Sequence, residues 1–136
     1  MRTQRIHQLS SDHVVQLCAL YQSEWWSVGR ALSDVQTMVE NSSLVFGLIA
    51  PSQHLVGFAR VLTDQVYKAF VLDVIVEREQ REKGLGGVLM EWVLSHPDLG
   101  RVKHFELYCL PELRPFYEKW GFVAEVGGVD LMRRAI

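Results

Sequence analysis

The stretch EREQREKGLGG, from Glu77 to Gly87, sets a run of alternating charges against Gly84, Gly86 and Gly87. It stands between the β-branched run AFVLDVIV and the helical pattern VLMEWVL. At a strand-to-helix junction the first helical N–H groups lack internal partners and the helix dipole favours negative charge. Glycines that admit a ligand therefore make such a junction a cradle for a pyrophosphate. Arg81 and Lys83 would add cationic donors. The pattern lacks the GK[ST] ending of a nucleotide-binding P-loop, and Gly84, Leu85, Gly86, Gly87 do not supply the third glycine of GxGxxG. Taken alone, so short a GxG turn arises more often as a plain strand-to-helix loop.

Two other places could do chemistry. Asp73 interrupts the apolar run AFVLDVIV, and a carboxylate there is costly unless it is ion-paired or faces a cleft. A structural salt bridge and a functional role explain it equally well. The segment SEWWSVGR places Trp25 and Trp26 beside Arg30. Adjacent tryptophans on a loop could enclose a ligand, and Arg30 could bind an acidic group, although a tryptophan packed into the core is the plainer reading. Cys18 and Cys109 are far apart, and the histidines His7, His13, His54, His96 and His104 show no ligand spacing, so no metal is expected.

The elements that must position these residues follow from periodicity. Ser10, Ser11 and Asp12 offer caps for a helix with Val14, Leu17, Cys18 and Tyr21 on one face. The preceding RIHQL alternates as a short leading strand. Ser33 and Asp34 predict the start of a second helix carrying Val35, Met38 and Val39. LVFGLIA and LVGFARVLTD, separated by Pro51, Ser52 and Gln53, predict an antiparallel hairpin, and AFVLDVIV a third strand. A helix buries Val88, Leu89, Trp92 and Val93 and is limited by Pro97. HFELYC then resumes a strand, a last helix starts near Pro111 and stops at Gly121, and FVAEVGGVDLMRR predicts a closing hairpin around Gly127 and Gly128. The expected fold is a mixed α/β (α+β) layer, with a mainly antiparallel sheet of six to seven strands and about four helices on its two faces.

The bulk properties fit one domain over residues 1–136. A net charge of −2 with scattered Lys and Arg argues against nucleic acid. No run approaches the roughly 20 apolar residues of a membrane span, and the start lacks a secretory pattern, so a cytoplasmic protein is expected.

From Val76 through Arg81, Gly84 and Gly86, the sequence resembles the R-x-x-G-x-G/A signature of the GCN5-related N-acetyltransferases. ELYCLPELRPFYEKWGF is similar to that family's second landmark, a strand followed by a tyrosine-bearing helix ending in lysine, a variable residue, glycine and phenylalanine. The resemblance covers nearly the whole chain, is strongest between Leu72 and Phe122, and implies the acyl-CoA N-acyltransferase fold. It implies acetyl-coenzyme A as acyl donor, with Val74 and Val76 bonding the pantetheine arm from a strand that splays from its neighbour. The backbone of Arg81, Glu82, Lys83, Gly84, Leu85, Gly86 and Gly87 would hold the pyrophosphate.

The same resemblance gives Tyr117 the role of acid to the departing thiolate; read from the residues alone, it is a core tyrosine. A backbone N–H near Ile75 would polarise the thioester carbonyl. Asp73 is then the leading base, with Glu24 in reserve, and Glu24, Trp25, Trp26 and Arg30 line the acceptor side. Pro111, Glu112 and Pro115 stand where many relatives carry an asparagine that touches the coenzyme. A small primary amine is the expected acceptor. A protein lysine or N-terminus, or a coenzyme-binding module without turnover, are the alternatives. The closing hairpin would offer an edge through which two copies could pair as a homodimer.

Overall fold

A computed structural model describes residues 2–136. Its five strands, β1 (Gln4–Ile6), β2 (Leu44–Ile49), β3 (Leu55–Thr63), β4 (Lys68–Val76) and β5 (His104–Glu106), form one sheet in the order β1-β2-β3-β4-β5. All neighbours are antiparallel except β4 and β5, which run parallel. Parallel pairing needs a crossover, and the chain supplies it with a helix between the two strands. The helices are α1 (Ser11–Gln22), α2 (Leu32–Asn41), α3 (Leu85–Ser95) and α4 (Arg114–Glu118). None among the described residues is long and apolar enough to cross a membrane.

Local chemistry explains the boundaries. The Ser10 side chain accepts from the His13 N–H at 3.1 Å and so caps α1, which buries Val14, Leu17, Leu20 and Tyr21. Cys18, expected on that face, is only half-buried. Helix α2 starts at Leu32 without a side-chain cap, so Ser33 and Asp34 lie inside its first turn, where the Asp34 charge complements the dipole. Residues Pro51, Ser52 and Gln53 connect β2 to β3 as the hairpin pattern predicts. Pro111–Leu113 winds as a 3-10 turn before α4, and Gly121, at φ +86°, ends the segment.

The sheet has a core on each face. Phe46, Leu48, Val56, Val61, Ala69 and Val71 pack with Leu89, Met90, Trp92 and Val93 of α3. On the other face Val45, Ile49, Leu55, Phe58 and Ile75 pack with Leu17, Leu20 and Tyr21 of α1 and Val35 of α2. Burying both faces is what lets strands this apolar sit in water.

The strand number is five among the described residues, against the expected six to seven. The closing hairpin does not form: residues 123–136 belong to no strand and are exposed. Its turn does form, because Gly127 and Gly128 have φ of +78° and +77°, the signs that a two-residue hairpin turn requires. The flanking residues find no apolar surface to cover, and a hairpin with no face to pack on is marginal in water.

Candidate functional site

Strand β4 is bulged at its centre. Phe58 pairs with Ile75 but Arg60 pairs with Leu72, so β4 carries one extra residue there. Asp73 takes it up with φ +55°, a left-handed conformation that aspartate tolerates better than β-branched residues. The bulge reverses the alternation of the strand: Val71 faces the α3 side and Ile75 the α1 side. Asp73 is thereby turned toward α1. Its Oδ2 accepts from the Tyr21 hydroxyl at 3.0 Å, the Arg30 guanidinium at 2.9 Å and Arg60 Nε at 2.8 Å. Oδ1 has no hydrogen-bond partner among the described residues.

Burial alone would raise the Asp73 carboxyl, but the hydrogen bonds and charges of Arg30 and Arg60 outweigh it and hold the group below the ordinary carboxylate range. The Tyr21 phenol is pushed up, first by burial and then by Asp73, so it remains a donor. Arg30 stacks over the Tyr21 ring at 4.5 Å and lies 5.5 Å from the centre of Trp26. Arg30 and Arg60, with Asp34, Val35 and Met38, line a cavity of about 230 Å³. Sequence reasoning missed Tyr21, read as a core position, and Arg60, although Arg60 gives the same signal as Asp73: a charge inside the apolar strand GFARVLT.

Beyond the bulge, β4 parts from β5. The two strands pair only from Lys68 to Phe70 against His104 to Glu106, which leaves one edge of β4 from Val71 to Val76 unpaired. The Glu77 N–H donates to the Val56 carbonyl at 2.9 Å. Strand alternation then directs the Ile75 N–H toward β3 as well, and the backbone groups of Val74 and Val76 into the splay. A backbone donor for a group lying in the splay therefore comes from Val74 or Val76, whereas the Ile75 N–H is turned toward β3.

At the end of β4 a 3-10 turn, Arg78–Gln80, leads to Gly84, which starts α3 at φ +79°. The Arg81 N–H is spent inside this turn on the Arg78 carbonyl at 3.2 Å. The N–H groups of Glu82, Lys83, Gly84, Leu85, Gly86 and Gly87 have no acceptor among the described residues; the helical bonds begin with Val88 N–H to the Gly84 carbonyl. No atom lies within 4 Å of where a Gly84 Cβ would stand. This open row of donors at a helix start fits an anion.

Gly86 and Gly87 have another use. A Cβ on Gly86 would meet the Phe116 ring at 3.1 Å, and one on Gly87 the Trp120 ring at 3.5 Å, so these glycines seat α4 against the first turn of α3. Lys83 donates to Gln80 at 3.0 Å, and the exposed Glu82 can contribute only its backbone to an anion site.

The segment between α1 and α2 reaches this turn from the other side. Glu24 pairs with Arg81, whose Nε also donates to the Val76 carbonyl at 3.2 Å. Arg78 donates to the Ser23 carbonyl at 2.6 Å. Trp25 is 71% exposed, whereas Trp26 is partly covered, edge-on to Tyr21. Neither tryptophan is buried in the core.

Tyr117 lies on the opposite face of β4 from Asp73, in the α3-side core between Phe116 and Phe122. Burial, with Cys109 nearby, pushes its phenol up to about 12, and the hydroxyl has no hydrogen-bond partner among the described residues. The two groups assigned proton roles therefore flank β4 rather than touch each other.

A family model described as an acetyltransferase (GNAT) domain matches residues 41–124. The chain belongs to the GNAT family of N-acetyltransferases. It is 32% identical over 130 residues to the uncharacterized N-acetyltransferase ycf52 of Pyropia yezoensis, covering 91% of this chain and 74% of that protein. A GNAT-family acetyltransferase structure from Xanthomonas campestris superposes with a TM-score of 0.85 at 28% identity, over 100% of this chain and 94% of that one. Arabidopsis thaliana glucosamine-6-phosphate N-acetyltransferase shares the fold with a TM-score of 0.78 at 15% identity, over 98% and 99% of the two chains.

Proposed function

We propose that this N-acetyltransferase moves an acetyl group from acetyl-coenzyme A to a primary amine of a small molecule, by direct attack in a ternary complex. The reading rests chiefly on the unpaired N–H groups of Glu82 to Gly87 at the start of α3. They suit a pyrophosphate, and the Val74 backbone and the Val76 N–H, on the edge of β4 that β5 leaves open, suit an extended amide-bearing arm. The coenzyme supplies the acetyl thioester. The ammonium first gives a proton to a base; as the amine nitrogen bonds to the acetyl carbon the carbon–sulfur bond breaks, and the nitrogen's second proton passes, directly or through water, to the departing thiolate, which leaves an amide and a free thiol.

The residues divide this work according to their chemistry. Tyr117, with its phenol near 12, stays protonated and donates a hydrogen bond to the leaving sulfur; a thiolate whose conjugate thiol titrates at about 8.5 is too weak a base to take that proton completely. Asp73 is held ionised and acidic by two arginines, which makes it a weak base but a good anchor. Its free Oδ1 attracts the acceptor ammonium, and proton removal passes to water or to Glu24. Arg30 and Arg60 suit an acidic group elsewhere on the acceptor. GNAT-fold neighbours named for glucosamine-6-phosphate and for an aminoglycoside support a small amine through the fold alone.

Trp25 and Val28, exposed between α1 and α2, with exposed Leu32 at the start of α2, favour a second reading in which the amine belongs to a protein lysine. Calorimetric titration with acetyl-coenzyme A, followed by thiol release against amino sugars, polyamines, amino acids and lysine peptides, tests both. Turnover confined to a small amine supports the first reading and turnover confined to peptides the second. Absence of coenzyme binding would overturn the acetyl-donor assignment itself.

A further inference from the structure

The contacts between the α1–α2 segment and the turn after β4 serve no purpose in an anion site considered alone. Arg81 stands at the head of the donor row, yet its guanidinium is already engaged by Glu24 and by the Val76 carbonyl. The Glu24 side chain is only 13% exposed, whereas Arg81 is 44% exposed and open to a newcomer. Arg78 anchors the adjacent Ser23 carbonyl from the same turn. Behind Glu24 the segment is wound on itself: its carbonyl accepts from Val28 N–H at 2.9 Å, and the buried Ser27 hydroxyl donates to the Tyr21 carbonyl at 2.8 Å. Trp26 lies edge-on to Tyr21, whose hydroxyl donates to Asp73, so a displaced Glu24 would have a chain of contacts leading to the Asp73 cluster.

A pyrophosphate on the donor row brings negative charge to the same guanidinium that neutralises Glu24. Two anions then compete for one cation, and the doubly charged one has the stronger claim. We infer that Glu24 competes with the coenzyme's pyrophosphate for Arg81, so that coenzyme binding frees this carboxylate toward the acceptor side. The inference rests on the acetyl-coenzyme A reading above. Linkage makes the effect reciprocal: an acceptor ammonium that occupies Glu24 relieves the competition and tightens the coenzyme.

The competition has a sign that a merely structural ion pair would not give. Calorimetry with coenzyme A alone, without acetyl group or acceptor, should show tighter binding to Glu24→Gln than to wild type, by about two- to fivefold, the range a partly exposed ion pair supports. Glu79→Gln, which removes an exposed charge without an ion-pair partner among the described residues from the same turn, should change affinity by much less. Equal tightening by both variants would assign the effect to general charge, and unchanged or weaker binding by Glu24→Gln would show no competition; either overturns the inference.

Fluorine resonances of 5-fluorotryptophan at positions 25 and 26, assigned by Trp→Phe substitution, should shift on adding coenzyme A to wild type and less in Glu24→Gln. Static resonances in wild type would overturn the release of the loop. Loss of coenzyme binding by wild type itself would overturn the acetyl-donor reading along with this one, whereas normal binding without the Glu24 effect removes this one alone.

Discussion

At the scale of single residues, Asp73 carries both strain and charge, and the two can be separated. Its left-handed φ suits Asn as well as Asp, so Asp73→Asn removes the charge while keeping the backbone preference. The change leaves Arg30 and Arg60 sharing a partly buried site without a counter-ion. Breaking such a pair from one side costs about 3 kcal/mol, discounted here because Arg30 is partly exposed, so a loss of about 2 kcal/mol is expected on chemical denaturation. Because the folded carboxyl is held below its unfolded value, its contribution is fully present above that value, near 3.9, and is lost as pH falls through the folded one. The stability gap between wild type and Asp73→Asn should be constant from about pH 5 to 7 and narrow progressively as pH falls below about 3.9. A gap that does not narrow at all on acidification would mean that packing, not charge, is what Asp73 contributes. The anomaly of an acid in an apolar strand was legible in the sequence; the bulge that turns it toward Tyr21 was not, since alternation alone places residue 73 with Val71.

Tyr117 supports a prediction of a different kind. Its hydroxyl is bonded to nothing among the described residues, so Tyr117→Phe should leave the melting temperature within about 1 °C of wild type, there being no hydrogen bond to lose. If the phenol donates to the leaving sulfur, kcat should fall about a hundredfold, the scale of a positioned proton donor, with coenzyme affinity retained. Full turnover in this variant would return Tyr117 to the core role that its type alone suggests.

At the scale of elements, the turn after β4 depends on Gly84 for its conformation and on Gly86 and Gly87 for packing. Gly84→Ala meets no atom but places a Cβ at φ +79°, a cost of about 1 kcal/mol. Gly84→Asn should cost roughly half of that. Both should weaken coenzyme A binding in the same order as they lower stability, which isothermal titration and thermal melts can check; unaltered affinity in a destabilised Gly84→Ala would mean the donor row does not hold the anion. The strand, turn and helix here were legible because a β-branched run, a glycine cluster and a 3.6-residue period follow one another without overlap. The use of Gly86 and Gly87 was not, because only the placement of Phe116 and Trp120 shows it. The closing hairpin failed for a related reason: glycines encode a turn locally, whereas strands need a surface that no local pattern reports.

At the scale of the whole molecule, the two-sided core divides the chain by stability. The interior strands β2, β3 and β4 are covered on both faces, and β3 is paired along both edges with β2 and β4, so the β3 amides should open only with the fold. From Val123 onward every residue is exposed, and the last backbone hydrogen bond outside regular elements is Gly121 N–H to the Glu118 carbonyl. Among the described residues this region makes one aromatic contact, Arg133 over Tyr108 at 5.7 Å, a surface cation–π pair of at most about 1 kcal/mol. The amides of 123–136 should therefore exchange within seconds at neutral pH, while those of β3 are protected by orders of magnitude more. Ending the chain at Ala124, where the family match also ends, should lower the melting temperature by no more than about 3 °C, since little beyond that pair is lost. Protection of Val129 to Met132 comparable to β3, or collapse of the truncated chain, would show that these residues complete the sheet in solution, with Gly127 and Gly128 turning a hairpin whose strands then lie against β5.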